Sequence, residues 1–193
     1  MMNLLNFKKF GSLLDQKWFS YGNIKPDIDF KMKNLDHTIT GANNQIKNEL
    51  EKIKANSLSK EEFSESLGII NHFICDCFCA YHNREDLIED NFFKHFLYEN
   101  KIHGKLINKR DFSKYKTFIK KGSSLFIKDL DLIKDLKNCQ LEYSEKSIKP
   151  ARDLRYAIRT SILVNTNLLK IRQEELNTNE KNPNIYLAHR KWA

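Results

Sequence analysis

The chain has 193 residues, of which 40% are hydrophobic and 30% charged, and a net charge of +8 with a pI of about 9.2. This length and composition suit one globular domain with a sizeable core, and the lack of any run of about 18 apolar residues argues against a transmembrane helix. Because Gly and Pro are scarce, we expect an all-α, single-domain bundle of about six or seven helices over 1–177, followed by a C-terminal tail, 178–193.

The first part of the chain predicts two helices joined by a break. Residues 3–18 are predicted to form the first helix. An extended or turn segment should follow, because Pro26 disfavours helical geometry at Lys25. Apolar residues then recur every three or four positions over 35–53, which is the pattern of an amphipathic helix.

A third helix has a clear beginning. Ser59 and Glu62 have the spacing of a capping box, in which each side chain accepts a hydrogen bond from the other residue's backbone N–H. The apolar pattern behind this box predicts a helix that continues to about Asn83.

The second half of the chain predicts four more helices. One covers 84–103 and is stopped by Gly104, and a short one ends at Gly122. A further amphipathic helix follows over 123–138. The longest begins at Pro150, because proline is well tolerated in the first turn of a helix.

The segment NHFICDCFCAYH, residues 71–82, combines three cysteines and two histidines and raises the question of a metal site. On one straight helix, His72 and His82 would stand about 15 Å apart along the axis. Such a helix could not place four ligands within about 2.0–2.3 Å of one zinc ion. It could supply one adjacent pair, either His72 with Cys75 or Cys79 with His82, with the other ligands from elsewhere. Candidates elsewhere in the chain are His37, His95, His103 and Cys139.

A buried core helix is the favoured interpretation of this segment. The Cys-x-Cys-x-Cys spacing is not that of a zinc ribbon or a thioredoxin-like motif, and cysteine is among the most buried residue types. Gly68 on the same face predicts close approach by another helix. We therefore assign no metal ligand and no cofactor.

Positive charge is concentrated in two places. Segment 101–121 holds eight Lys or Arg residues against one Asp. In the long C-terminal helix, Arg152, Arg155 and Arg159 form one ridge that can follow a row of phosphates. The residues predicted to contact a nucleic-acid backbone are Lys105, Lys109, Arg110, Lys114, Lys120, Lys121, Arg152, Arg155 and Arg159.

Familiar catalytic motifs are missing from the sequence. It contains no P-loop, no G-x-G-x-x-G, no nucleophile elbow and no H-E-x-x-H. The segment PDIDFKMK, which includes Asp27 and Asp29, carries the letters of a metal-dependent nuclease signature. In such nucleases the parts of the signature normally lie on separate strands, whereas here they are adjacent. We therefore assign the segment no role and predict no catalytic residue.

Three hypotheses follow. The first is a non-enzymatic, basic helical protein that binds nucleic acid or a nucleoprotein complex, or another acidic surface, through charge. The second is an adaptor subunit of a larger protein assembly that docks through Tyr186, Leu187 and Trp192 of the tail. The third is a metal-dependent enzyme that uses one of the two Cys/His pairs. Because the cysteines make a poor disulfide framework and no secretory signal is evident, we expect an intracellular, reducing compartment. This is the cytoplasm or, if the basic amphipathic N-terminus is a targeting segment, an organelle.

Overall fold

The computed structural model describes residues 11–32, 35, 39–55, 58–83, 93–94, 97–102, 132–144 and 149–181. These form six helices, and residues 97–102 are also helical. The helices are α1 (Gln16–Ile28), α2 (Ile39–Ala55), α3 (Lys60–Cys77), α4 (Ala80–Asn83), α5 (Leu132–Ser144) and α6 (Pro150–Lys181). No strand occurs in these ranges, and the predicted all-α, single-domain fold is confirmed.

Helix α3 is the central helix of the bundle. Its predicted capping box is present: Ser59 Oγ accepts from Glu62 N at 3.1 Å, and Glu62 Oε2 accepts from Ser59 N at 2.8 Å. Helices α1, α2 and α6 pack around it. The fully buried apolar side chains of α3 are Phe63, Leu67, Ile70, Phe73, Ile74 and Cys77. The sulfur-rich segment therefore begins in the core, as the sequence predicts.

Helices α1 and α3 cross at unusually short range through two glycines. A Cβ placed on Gly22 would lie 2.2 Å from the backbone O of Glu65, and one placed on Gly68 would lie 2.4 Å from the backbone O of Phe19. The close approach expected at Gly68 is thus confirmed. No larger residue fits at either position without moving one helix.

The expected break near Pro26 is wrong. Helix α1 continues through this proline to Ile28, and Pro26 itself is buried. The helix begins at Gln16, and the side chain of its N-cap, Asp15, accepts hydrogen bonds from Lys17 N and Trp18 N. Residues 11–15 are not helical, so the helix predicted over 3–18 is wrong in this part. Packing of α1 along α3 therefore outweighs the local cost of a proline near the end of the helix.

The predicted continuation of α3 to Asn83 is also wrong. The helix ends at Cys77, with Phe78 as its C-cap, and the chain turns before α4 begins at Ala80. A residue distant in sequence stabilises the start of α4, because the Ala80 N–H donates to Asp153 Oδ2 on α6 at 3.2 Å. The turn bends the chain back toward the last turn of α3.

Helix α6 closes the bundle on the other side of α3. Pro150 occupies its first turn as predicted. Its predicted apolar face is buried, and it includes Leu154, Ala157, Ile158, Ser161, Val164, Leu168 and Leu169. The buried Asn165 exchanges two amide hydrogen bonds with Asn71 of α3, at 2.7 and 2.9 Å. The helix ends at Lys181, so it includes the first residues of the segment predicted as a tail.

None of the described helices combines the length and the apolar character that a membrane span requires.

Candidate metal centre

His72 lies on α3 with its two ring nitrogens in different environments. Its Nδ1 is 3.0 Å from the backbone O of Asn23, and because a carbonyl oxygen only accepts, Nδ1 must carry a proton. Its Nε2 lies 3.1 Å from Asp76 Oδ2 and 3.6 Å from Asp27 Oδ1. In many metal sites a histidine donates one ring N–H to a backbone carbonyl, which fixes the ring and leaves the other nitrogen for the ion.

The Asp76 carboxylate faces a second histidine with its other oxygen. His82 Nε2 lies 4.0 Å from Asp76 Oδ1 and 3.4 Å from Glu99 Oε1. Cys79 completes this group, because ligand atoms of Cys79, His82 and Glu99 all lie within 4.8 Å of one another. Asp76 therefore joins two clusters of potential metal ligands.

These distances suit a zinc ion. With ligand bonds of about 2.1 Å, the ligands of a tetrahedral zinc site stand about 3.4 Å apart. The four contacts between the histidines and the carboxylates span 3.1–4.0 Å, close to that separation. Imidazole nitrogen, carboxylate oxygen and thiolate sulfur are the donors that zinc prefers. Among the described residues, Cys79, His82 and Glu99 form a group of three mutually close ligand atoms whose chemistry fits a zinc ion, with Asp76 Oδ1 4.0 Å from His82 Nε2.

The metal centre is buried at its histidines and open at two of its carboxylates. The side chains of His72 and His82 are 10% and 17% exposed, and that of Asp76 is 14% exposed. In contrast, the side chains of Asp27 and Glu99 are 63% and 42% exposed. A ligand would therefore reach the centre from the side of Asp27 and Glu99.

The electrostatics of the two histidines indicate a place for positive charge. Burial lowers the pKa of His72, but the hydrogen bond and charge of Asp76, with smaller contributions from Asp27 and Asn23, outweigh burial and raise it. Burial likewise lowers the pKa of His82, but hydrogen bonds with Cys79 and Glu99 raise it to about 10. In both cases the neighbouring acidic groups favour the protonated, positively charged form of the imidazole. A bound cation would replace that charge, because metal ligands must give up their protons.

The structure brings together one of the two Cys/His pairs considered from the sequence. Cys79 and His82 are neighbours in the second cluster. In contrast, Cys75 lies beside Ser161 of α6. Cys77 Sγ accepts from Gln140 Nε2 at 3.0 Å in the core.

Sequence reasoning missed the carboxylates of the site. It weighs only histidine and cysteine as zinc ligands on a straight helix, which would keep His72 and His82 far apart, and it assigns no role to Asp27 in the segment PDIDFKMK. The chain turns after Cys77, so His82 returns to Asp76, which His72 contacts from one turn earlier on α3. The i, i+4 spacing of His72 and Asp76 on one helical face could have revealed the first pair.

The other candidate ligands are not part of the described centre. Cys139 is buried in the main core, beside Thr160. His37, His95 and His103 lie outside the described residues.

The arginines of the predicted basic ridge have partners within the chain. Arg152 donates to the backbone O of Tyr143 and lies over its ring, with 4.3 Å between the guanidinium carbon and the ring centroid. Arg155 lies 5.7 Å from the Tyr156 ring centroid, and Arg159 forms an ion pair with Glu142 at 3.4 Å.

The remaining residues predicted to bind partners cannot be placed in the structure. The basic residues Lys105, Lys109, Arg110, Lys114, Lys120 and Lys121 lie outside the described residues. So do the tail residues Tyr186, Leu187 and Trp192. Docking through the tail, and the predicted reducing compartment, stay predictions.

Comparison with known proteins identifies the family. Residues 2–152 match the model of a family described as zinc dependent phospholipase C. No match was found among curated proteins or among solved structures. The family match overturns our first hypothesis of a non-enzymatic, nucleic-acid-binding protein and favours the third, a metal-dependent enzyme. All the ligands described above lie within the matched range. Because that range covers more than three quarters of the sequence, the chain belongs to the zinc-dependent phospholipase C family.

Proposed function

We propose that this chain is a zinc-dependent phosphodiesterase that acts on phospholipids. The reaction of a phospholipase C breaks the bond between phosphorus and the glycerol oxygen and adds water, giving diacylglycerol and a phosphorylated head group. The observation that carries the proposal is the Asp76 carboxylate, which faces His72 with one oxygen and His82 with the other. Membership of the family supports the choice of metal and of substrate class.

The chain's own residues have distinct roles in this proposal. The Asn23 carbonyl fixes the ring of His72, so that Nε2 faces Asp76 and Asp27. Cys79, His82 and Glu99 would hold an ion in the second cluster, and Asp76 would link that cluster to His72 and Asp27. Bound zinc supplies Lewis acidity, which stabilises negative charge on a phosphoryl oxygen and activates water for attack.

Asp27 is the ligand candidate most open to solvent. Its carboxylate is placed where a substrate would enter, beside a histidine that it contacts at 3.6 Å. This position suits a group that binds the ion or accepts a proton from the attacking water. Substitution at Asp27 should therefore reduce hydrolysis without disturbing the buried core.

The test is hydrolysis of phosphatidylcholine in mixed micelles, followed by the release of diacylglycerol. We expect activity in protein loaded with zinc, loss of activity after dialysis against EDTA, and recovery when zinc is restored. Asp27→Asn should lower activity by about 10–100-fold, the usual scale for disturbing a metal site. Asp29→Asn is the matched control, because the side chain of this nearby residue accepts from Lys31 N, and the capping hydrogen bond to Lys25 O comes from its backbone N–H, which the substitution keeps.

Two results would contradict the proposal. One is a zinc-loaded protein that releases no diacylglycerol from phosphatidylcholine, phosphatidylethanolamine or phosphatidylglycerol. The other is hydrolysis that persists at the same rate after the metal has been removed.

A further inference from the structure

Asp153 is a buried acid that lies outside the candidate metal centre. It contacts both chain segments that carry the second cluster, Cys79, His82 and Glu99. It lies on α6 and is only 1% exposed. Its Oδ2 accepts a hydrogen bond from the Ala80 N–H at 3.2 Å and another from the Tyr98 hydroxyl. Ala80 lies between Cys79 and His82, and Tyr98 directly precedes Glu99. A single oxygen atom therefore connects the two segments that carry these ligands.

The two segments also pack on each other, apart from the main core. Cys79, Ala80 and Tyr98 form a small separate cluster, with Tyr81 and Ile102 packed against it. The rings of Tyr81 and Tyr98 lie 4.9 Å apart. Because this cluster is small, apolar packing alone gives weak control over the separation of His82 and Glu99. Hydrogen bonds to a residue on a long, buried helix provide stronger control.

We propose that Asp153 is a positioning residue for the metal centre, which holds His82 and Glu99 at the separation that zinc requires. The inference rests on the proposed function, since it concerns the geometry of that same centre. Asp153 acts through Ala80 and Tyr98 and need not touch the ion. It also lies just beyond the part of the chain that matches the family model.

The experiment measures the zinc affinity of EDTA-dialysed protein by competition with a chromophoric chelator. Asp153→Ala removes the acceptor and should weaken zinc binding by about 10–100-fold, as is usual when a residue that orients a ligand is lost. Tyr98→Phe removes one donor and should weaken it in the same direction. Asp153→Asn should restore affinity to within a few-fold of wild type, because the amide oxygen can accept both hydrogen bonds.

Tyr156→Phe is the matched control for a structural effect. Tyr156 is a buried tyrosine whose hydroxyl also donates to a carboxylate, Glu142 Oε1, at 2.8 Å. Tyr156→Phe should lower the free energy of unfolding about as much as Tyr98→Phe does, because each variant removes one hydroxyl that donates to a carboxylate. The zinc affinity of Tyr156→Phe should stay unchanged. The absorption spectrum of the cobalt-substituted protein adds a readout of ligand geometry, which should change in Asp153→Ala and not in Tyr156→Phe.

The possible results separate this inference from the proposed function. If wild type binds zinc and Asp153→Ala and Tyr98→Phe bind it equally well, the positioning role is wrong. It is also wrong if Tyr156→Phe weakens binding as much as Tyr98→Phe, or if Asp153→Asn fails to restore it. If the wild-type protein itself binds no zinc, the proposed function is overturned, and the positioning role with it. Should Asp153→Ala fail to fold, Tyr98→Phe and Asp153→Asn still decide the question.

Discussion

The Asp76 carboxylate lies 4.0 Å from the His82 imidazole although helix α3 ends between these two residues. The turn at Phe78 and Cys79 returns the chain toward α3, so that a residue beyond the helix contacts a residue in its last turn. Had the helix continued, the two side chains would lie on different faces and at different heights. The end of α3 is therefore a requirement of the candidate metal centre.

Zinc binding should stabilise the folded protein, because the ligands come from separate segments that unfolding disperses. At a free zinc concentration about 100 times the Kd, the free energy of unfolding should rise by about 2.7 kcal/mol. For a chain of this size, that corresponds to an increase in Tm of roughly 5–10 °C. Calorimetry of EDTA-dialysed protein with and without zinc measures the shift.

His72→Gln should greatly reduce this shift, and Glu61→Gln, on the exposed surface of the same helix, should leave it unchanged. An equal shift in wild type and His72→Gln would show that zinc binds elsewhere.

Gly22→Ala should destabilise the bundle and disturb the metal centre together. The new Cβ would lie 2.2 Å from the backbone O of Glu65, so α1 must move away from α3. Overpacking of this kind costs about 1–3 kcal/mol. The Asn23 carbonyl and the Asp27 carboxylate would move with α1, which should also weaken zinc binding.

Urea denaturation and zinc titration of the same samples test both effects of Gly22→Ala. Ser20→Ala, on the exposed side of α1, is the control and should stay within about 0.5 kcal/mol of wild type. If Gly22→Ala were as stable as wild type, the close crossing of α1 and α3 would be refuted.

Two thiols of α3, the partly buried Cys75 and the buried Cys77, should resist alkylation in the folded protein. Burial raises the pKa of Cys75 and of Cys77 to about 12, and the thiolate is the reactive form. Treatment with iodoacetamide at about pH 8, followed by peptide mass spectrometry, should find both residues unmodified. The same treatment in guanidinium chloride should modify both. Rapid labelling of Cys77 in the folded protein would contradict its place in the core.

The stability difference between wild type and Asp153→Asn should depend on pH. Burial raises the pKa of Asp153 above its ordinary value of 3.8, although hydrogen bonds from Tyr98, Tyr143 and the Ala80 N–H and the charge of Arg152 oppose this increase. Above pH 3.8 the folded state therefore holds this proton more firmly than the unfolded state does. The contribution of Asp153 to stability is greatest below pH 3.8 and is lost as the pH rises through the raised pKa.

Urea denaturation of both metal-free proteins from about pH 3.5 to 7 tests this dependence. The free energy of unfolding of wild type, minus that of Asp153→Asn, should fall as the pH rises. Parallel pH profiles would show that the pKa of Asp153 is not raised.

Features set by neighbouring residues could be predicted from the sequence. The capping box of Ser59 and Glu62, the start of α6 at Pro150 and the close approach at Gly68 depend on local pattern and side-chain size, and all three are confirmed. The buried apolar face of α3 follows from its periodicity in the same way.

Features that depend on distant residues could not be predicted. Helix α1 continues through Pro26 because it packs on α3. Helix α4 begins at Ala80, whose N–H donates to Asp153 on a helix much later in the sequence. The ligands Asp27 and Glu99 come from other segments, and only the folded chain places them beside the histidines. Asp76, in contrast, was visible in the sequence and was overlooked because carboxylates were not considered as zinc ligands.

The most direct test of the shared role of Asp76 is equilibrium zinc binding by wild type and Asp76→Ala, measured by calorimetric titration of metal-free protein. We expect saturable, stoichiometric binding by wild type. We expect Asp76→Ala to lose affinity in both clusters, so that no tight site remains, although circular dichroism shows the same helical content. Wild type that takes up no zinc, or Asp76→Ala that binds it with unchanged stoichiometry and affinity, would contradict a metal centre joined by this carboxylate.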